Sequence, residues 1–336
     1  MFQLPVTFFK KTIFLKNKSI ADAAIHSLRS NSKQTQIRRK SNLIKYKCPA
    51  KINLFLKLTG KRADGYHELE SLFAFLDLAD ELSISLLSHP ELVSGSKPTI
   101  KITGEFANLV DPENNLFTKI LDYFATEFSI SKNLKIKITK NIPVGAGLGG
   151  GSSDAAYFMH GLNEIFDLDL SLAELQNISL KFGSDIFFLL GNKAAIVKGR
   201  GEIIEEFPQF SAITTLLINP KISVSTKEIF NKFDGNFSKE IPTKDLLKKD
   251  VFDLIKNFPN DMEKPAISML PLISEIIENL KNSGAKIAKM SGSGATCFGI
   301  FENEKTLDLA QKILSKKFPK FFIKKSQIQS TISPSS

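Results

Sequence analysis

Between a segment of alternating polarity and one of helical character, the chain carries Pro143-Val144-Gly145-Ala146-Gly147-Leu148-Gly149-Gly150-Gly151-Ser152-Ser153-Asp154-Ala155-Ala156, with five glycines in the seven positions 145–151. Glycine admits positive φ and lets a backbone approach a ligand closely, and the first N–H groups of a helix opening at Ser152 have no intrahelical partner. Such a turn is suited to an anion, phosphate above all. A flexible linker is a poor alternative, because Leu148 interrupts the run and Asp154-Ala155-Ala156-Tyr157-Phe158 continues at once as helix-compatible sequence.

Two common phosphate loops fit badly. In a P-loop a lysine follows the last glycine, and here Gly150 is followed by Gly151. The spacing Gly145-x-Gly147-x-x-Gly150 meets the dinucleotide fingerprint, with Glu164, Asp167 and Asp169 at about the distance of a ribose-binding carboxylate. The strand that should precede such a fingerprint is buried on both faces and nearly all apolar, whereas Leu134-Lys135-Ile136-Lys137-Ile138-Thr139-Lys140 alternates. One face of that strand meets water, which suits an antiparallel or mixed sheet.

The net charge of +10 suggests nucleic acid until it is located. Residues 1–47 hold eleven Lys and Arg against the single acid Asp22, and 48–336 balance at 34 of each sign. No nucleic-acid partner is therefore expected for the folded body. The acid-poor leader, with the short helical stretch Ile20–Arg29, has the composition of an organelle transit peptide; a disordered tail or a start codon set too far upstream explains it equally well. The location expected is accordingly a bacterial cytoplasm, or a plastid-type organelle if the leader is cleaved. The longest apolar runs, such as Ile186-Phe187-Phe188-Leu189-Leu190, are far too short to span a bilayer, so no membrane partner is expected. Cys48, Cys297 and four scattered histidines offer no zinc spacing, and free thiols are expected.

The body begins near Lys47. Strands are expected over 48–58, 70–78, 99–103, 134–139, 194–198, 286–289, 296–301 and 321–325, and helices over 116–128, 172–182, 226–233, 273–282 and 305–316. Asn115 and Ser171 are the natural N-caps of the first two helices.

Four further blocks carry more polar specificity than packing needs. Lys51 and Asn53 share one face of a strand whose other face is apolar. The turn Asp64-Gly65-Tyr66-His67 presents a ring and an imidazole together. Gly183-Ser184-Asp185 sets a carboxylate inside apolar sequence, where it must be paired or functional. Met290-Ser291-Gly292-Ser293-Gly294-Ala295-Thr296 is a second glycine turn, placed to form the far wall of the same cleft.

Taken in order, Pro49-Ala50-Lys51-Ile52-Asn53-Leu54, Arg62-Ala63-Asp64-Gly65-Tyr66-His67, the glycine loop, Gly183-Ser184-Asp185 and Met290–Ala295 resemble the GHMP small-molecule kinases over about residues 48–325. The Asp-Gly-Tyr-His block and the triple glycine are similar to the branch acting on a CDP-linked methylerythritol. Where the family commonly has proline two residues after its Asp, this chain has Phe187.

The resemblance implies an α+β, two-domain GHMP kinase fold. It comprises an N-terminal, ATP-binding domain like ribosomal protein S5 domain 2 over residues 48–208, a ferredoxin-like C-terminal domain over 209–328, and a tail at 329–336. It implies ATP and Mg²⁺, and transfer of the γ-phosphoryl group to the C2 hydroxyl of that polyol by a monomer or homodimer. Asp185 would take the hydroxyl proton, with Lys51 offsetting charge on the transferred group. Pro143 to Ser153 would wrap the ATP phosphates, with Ser153 the metal ligand in view. Tyr66 and His67 would bind cytosine, Phe73 would line its pocket, and Asn53 and Lys140 would meet the diphosphate or polyol. Other GHMP kinases, for homoserine, mevalonate or a sugar, and a non-catalytic ligand-binding member are the alternatives; in none of the first three does the Asp-Gly-Tyr-His turn have a task.

Overall fold

A computed structural model describes residues 43–87, 98–111 and 115–333. The expectations for the leader lie outside these residues. The first half runs β1 (Leu43–Lys61), β2 (His67–Leu86), β3 (Thr99–Thr103), α1 (Leu116–Phe128), β4 (Leu134–Thr139), α2 (Gly150–Ile165), α3 (Leu172–Ser179), α4 (Ser184–Leu189), β5 (Ala195–Gly199) and β6 (Ile203–Glu206). The second runs β7 (Ile213–Asn219), α5 (Thr226–Asn231), α6 (Thr243–Leu246), α7 (Val251–Asn257), α8 (Glu263–Met269), α9 (Leu272–Asn282), β8 (Ile287–Met290), β9 (Cys297–Ile300), α10 (Glu304–Lys317) and β10 (Phe322–Gln329).

The long strand β2 organises the sheet. One edge pairs antiparallel with β1 from end to end, while the other is shared by β5 at Leu69–Phe73, β10 at Phe75 and Leu76, and β4 at Glu81–Leu86. The path continues β3-β4-β2-β10-β7-β9-β8, with β3 parallel to β4 and the other pairings antiparallel. The mixed sheet expected from the alternation in β4 is present: Leu134, Ile136 and Ile138 are buried while Lys135 and Lys137 face water. Because β10 bonds both β2 and β7, hydrogen bonding runs unbroken across the expected domain boundary near 208.

Helices cover the sheet where their apolar stripes dictate. Phe117, Ile120, Leu121 and Phe124 of α1 and Ala155, Phe158, Met159 and Leu162 of α2 pack with Phe75, Ile84 and Ile136 from the sheet. Ile273, Ile276, Ile277 and Leu280 of α9 join Leu307, Ala310 and Leu314 of α10 against Leu216 and Ile218. The caps fall where expected: Asn115 accepts the Thr118 N–H at 3.2 Å, and Ser171 forms a capping box with Glu174.

Some boundaries differ from the sequence reading. Helix α2 opens at Gly150 rather than Ser152, because Gly149, at φ +65°, already supplies the left-handed residue before the first turn. α3 ends at Ser179, three residues early, where the chain turns through Leu180 to bring in α4. The Ile186–Leu190 run lies in and just after that short helix. Among the described residues no helix is long and apolar enough to cross a membrane.

Candidate active site

Two β-bulges flank the first site residues. The register of β1 on β2 shifts between Pro49 and Lys51 and again between Asn53 and Phe55. Bulges re-aim side chains within an otherwise regular ladder. Here the Lys51 ammonium donates to Asn53 Oδ1 at 2.6 Å, lies 4.8 Å from the centre of the Phe73 ring and stands 3.5 Å from Asp185 Oδ2. Lys51 and Asn53 are almost wholly buried, whereas the Asp185 side chain is 35% exposed, so the carboxylate is the member of the group that opens to solvent and ligand. Asn53 is itself fixed by donating to Ser71 Oγ at 3.0 Å.

The glycine loop is tied to both halves of the chain. Leu148 C=O accepts the Lys51 N–H at 2.9 Å, and Ala146 C=O accepts the Thr296 N–H at 3.2 Å. Gly145, Gly147 and Gly149 all have positive φ. A Cβ on Gly149 would stand 2.8 Å from Lys51 Cγ, so glycine there makes room for the lysine stem. Above Gly151 the space is open, with no atom within 4 Å of where a Cβ would be.

Loop, lysine and carboxylate border one cleft of about 1170 Å³. Small-molecule pockets usually measure roughly 300–1,000 Å³, so this cleft lies just above the usual range. The residues expected at the site divide as follows. Lys51, Asn53, Tyr66, His67, Phe73, Lys140, Asp185 and Pro143 to Ser152 line the cleft, except Leu148. Leu148 and Ser153 are fully buried away from it. The Ser153 hydroxyl has no hydrogen-bond partner. One residue along a helix is a 100° turn, which carries Ser153 inward while Ser152 faces the cleft.

The far walls bring in more of the chain. Gly292 and Ser293 of the second glycine turn line the cleft, as do Thr226, Lys227, Phe230 and Asn231 of α5. His67 stacks on Phe230 at 5.2 Å between ring centres, with Phe233 and Phe237 at 6.0 and 6.1 Å. Burial, assisted by Lys61, lowers the His67 pKa. Tyr66 remains exposed, with the Arg200 guanidinium 5.2 Å from its ring centre.

Lys140 is employed differently from the sequence expectation. It is buried and bonds both Asp80 and Asp154. Burial alone would lower its pKa, but the two carboxylates outweigh burial and raise it. Asp80 is well supplied with donors, since Oδ1 also accepts the N–H groups of Asn141 at 2.5 Å and Ile142 at 2.9 Å. Asp154 takes Lys140 at Oδ2, and among the described residues its buried Oδ1 has no partner. Burial pushes its pKa up to about 8, Lys140 opposing and Asp80 adding to the rise.

Sequence reasoning expected the helix at 226–233 but did not place it, Asp80 or Arg200 at the site. Gly199-Arg200-Gly201 was a local signal, two glycines bracketing a cation; Asp80 and Phe230 had none.

A glycine loop capping a helix, a Lys–Asp pair beside it and a second glycine turn opposite define a small-molecule phosphotransferase cleft. The GHMP kinase N-terminal domain profile matches residues 115–192 and the GHMP kinase C-terminal profile residues 243–320, and the chain belongs to the GHMP kinase family. Within it, the 4-diphosphocytidyl-2-C-methyl-D-erythritol kinase of Wolbachia pipientis wMel is 35% identical over 288 residues, covering 84% of this chain and 97% of that protein. The kinase of the same name from Agrobacterium fabrum is 35% identical over 284 residues, covering 82% and 92%. A crystal structure of 4-(cytidine 5'-diphospho)-2C-methyl-D-erythritol kinase superposes with a TM-score of 0.68 at 25% identity, covering 85% of this chain and 99% of the other.

Proposed function

We propose that this chain transfers the γ-phosphoryl group of ATP to the C2 hydroxyl of 4-diphosphocytidyl-2-C-methyl-D-erythritol. The observation that carries the reading is the 3.5 Å approach of Lys51 to Asp185 in a cleft that joins the glycine loop to the Tyr66–His67 turn.

The acceptor is a tertiary alcohol, hindered and weakly acidic, so it needs alignment and a place for its proton. Asp185, the exposed partner of the pair, accepts that proton as the oxygen attacks. Lys51, held by Asn53 and the Phe73 face, keeps a fixed positive charge beside the reacting centre, where charge spreads over the transferred oxygens. The backbone from Pro143 to Ser152 and the first turn of α2 receive the ATP phosphates, with the helix N-terminus favouring their charge. Leu148 and Ser153 anchor the loop from beneath. Tyr66 offers an exposed face for stacking the cytosine, and His67, steadied against Phe230, offers its ring nitrogens to the base edge.

Mg²⁺ fits this chain poorly as a resident ion. Among the described residues no three His, Cys, Asp or Glu side chains gather to hold a metal, and the Ser153 hydroxyl points into the core. It belongs here with ATP, neutralising phosphate charge as part of that substrate.

Full-length protein given ATP, Mg²⁺ and the CDP-linked polyol is expected to release ADP, with no comparable release on homoserine or mevalonate. Turnover on either control with none on the CDP-linked polyol would sink the reading.

A further inference from the structure

The cleft contains a cation for which the proposed transfer has no task. Arg200 sits in the Gly199-Arg200-Gly201 turn between β5 and β6, where the glycines have φ of +70° and +125°. The turn is held by Gly201 N–H donating to Lys198 C=O at 3.1 Å and by Arg200 N–H donating to Glu202 Oε2 at 2.6 Å.

Two contacts locate the arginine along the cleft. Its guanidinium carbon is 5.2 Å from the centre of the Tyr66 ring. In the same turn a Cβ at Gly201 would lie 2.9 Å from Ser184 Cβ, so the turn packs against the residue preceding Asp185. Arg200 thus faces Tyr66 from a turn that rests, through Gly201, on the first residue of α4.

One of its donors is unspent. Among the described residues Arg200 Nε is a buried atom without a hydrogen-bond partner; Glu202 Oε1 pairs with it only as an ion at 4.0 Å, and the side chain as a whole is 39% exposed. A buried guanidinium N–H lacking an acceptor is rare in a folded chain and marks a place for an acceptor from outside it. The neighbouring Asp64 carboxylate is engaged by Arg62 at 3.2 Å and by the Tyr66 N–H at 3.2 Å. The other cleft cations are less suited. Lys51 faces Asn53 and Asp185, Lys140 is held by Asp80 and Asp154, and Lys227 stands exposed on α5.

We propose that Arg200 is a further substrate-binding residue, receiving the diphosphate of a nucleoside-diphosphate-linked acceptor. The substrate class rests on the function proposed above. In such a molecule the diphosphate lies between base and acceptor hydroxyl, and Arg200 shares the cleft with Tyr66 and Asp185, its guanidinium beside the tyrosine and its turn packed on Ser184. The guanidinium fork matches phosphate oxygens geometrically, and its face can stay on Tyr66 while its edge binds.

The test is calorimetric binding of cytidine and of CDP to the full-length enzyme, its ATP loop saturated with a non-hydrolysable ATP analogue. Wild type is expected to bind CDP about tenfold or more tighter than cytidine, the scale of a charged hydrogen bond. Arg200→Met is expected to remove that increment while leaving cytidine affinity unchanged, and Arg200→Lys to retain part of it. In turnover, Arg200→Met raises the acceptor KM and leaves the KM for ATP unaltered. Equal weakening of cytidine and CDP would make the arginine a prop for Tyr66 and overturn the inference, as would an intact CDP increment in Arg200→Met. If wild type binds cytidine but gains nothing from the diphosphate, only the Arg200 inference falls; if it binds neither, the proposed function falls and takes the inference with it.

Discussion

Gly147 lies so close to Ser291 that a Cβ on the glycine would stand 2.3 Å from the serine carbonyl oxygen. The Ser291 hydroxyl also donates to Gly147 C=O at 3.2 Å. The two glycine turns, 144 residues apart, are therefore one rigid unit, and the shape of the phosphate loop depends on a strand connection from the other end of the chain.

Gly147→Ala is expected to destabilise the protein by about 2 kcal/mol, from the left-handed φ of +75° and the backbone collision together. Gly151→Ala makes the useful contrast. Its Cβ meets open space on a helix, so stability should rise by about 0.5–1 kcal/mol while ATP binds more weakly, because that space is where phosphate approaches. Urea denaturation and the KM for ATP separate the two; unchanged ATP affinity in Gly151→Ala would remove phosphate from that position.

Asp185→Asn is expected to lower kcat by about 10³-fold with ATP affinity within a factor of two, because only proton acceptance is lost. Lys51→Met should lower kcat by a similar order and leave the fold intact, since the methionine stem refills the slot beside Gly149 and Phe73. Single-turnover rates with nucleotide titration check both. Parallel loss of ATP binding in Asp185→Asn would make the carboxylate structural.

What could be read in advance was local. The Asn115 and Ser171 caps, the alternation of β4 and the glycine loop each state their physics within a few residues. Lys140 was legible as a cation near the loop, but its partner Asp80 lies 60 residues upstream and nothing at Asp80 announces the pairing. α7 and α8 fall in 251–269, to which the sequence reading assigned no element; α8 has Pro265 inside its first turn, a position that proline tolerates but that interrupts a helical pattern on the page. Phe230 became part of the site only because α5 folds over the turn holding His67.

The buried Asp80–Lys140–Asp154 group has two carboxylates for one ammonium. Asp154 titrates near 3.8 in an unfolded chain and at about 8 when folded, so between those values the folded state binds the extra proton and stability falls as pH rises. The contribution is fully present below pH 4 and lost by the time pH passes 8. Asp154→Asn should flatten that slope and gain on wild type most at pH 8 and above, measured as Tm across pH 5 to 9. Parallel profiles for the two proteins would show that Asp154 is already ionised.

Glu70 is wholly buried and holds together Lys57, Lys198 and the Ile241 N–H. Glu70→Ala leaves Lys57 buried without its counter-charge, and a loss of about 3 kcal/mol is expected in equilibrium unfolding. Because Lys57 also donates to Lys239 C=O, the segment that follows α5 should loosen with it, read as faster amide exchange at 238–241. Protection there equal to wild type would show that the segment is held by other contacts.

Among the described strands β10 is the last in chain order, yet it is the strand that joins β2 to β7. During synthesis the two halves of the sheet wait with open edges until residues 322–329 emerge, so everything from β1 to α10 is made before the central seam can close. The phosphate loop and the turn that braces it sit on opposite sides of that seam, and the enzyme gains its cleft only as a late event of its own production.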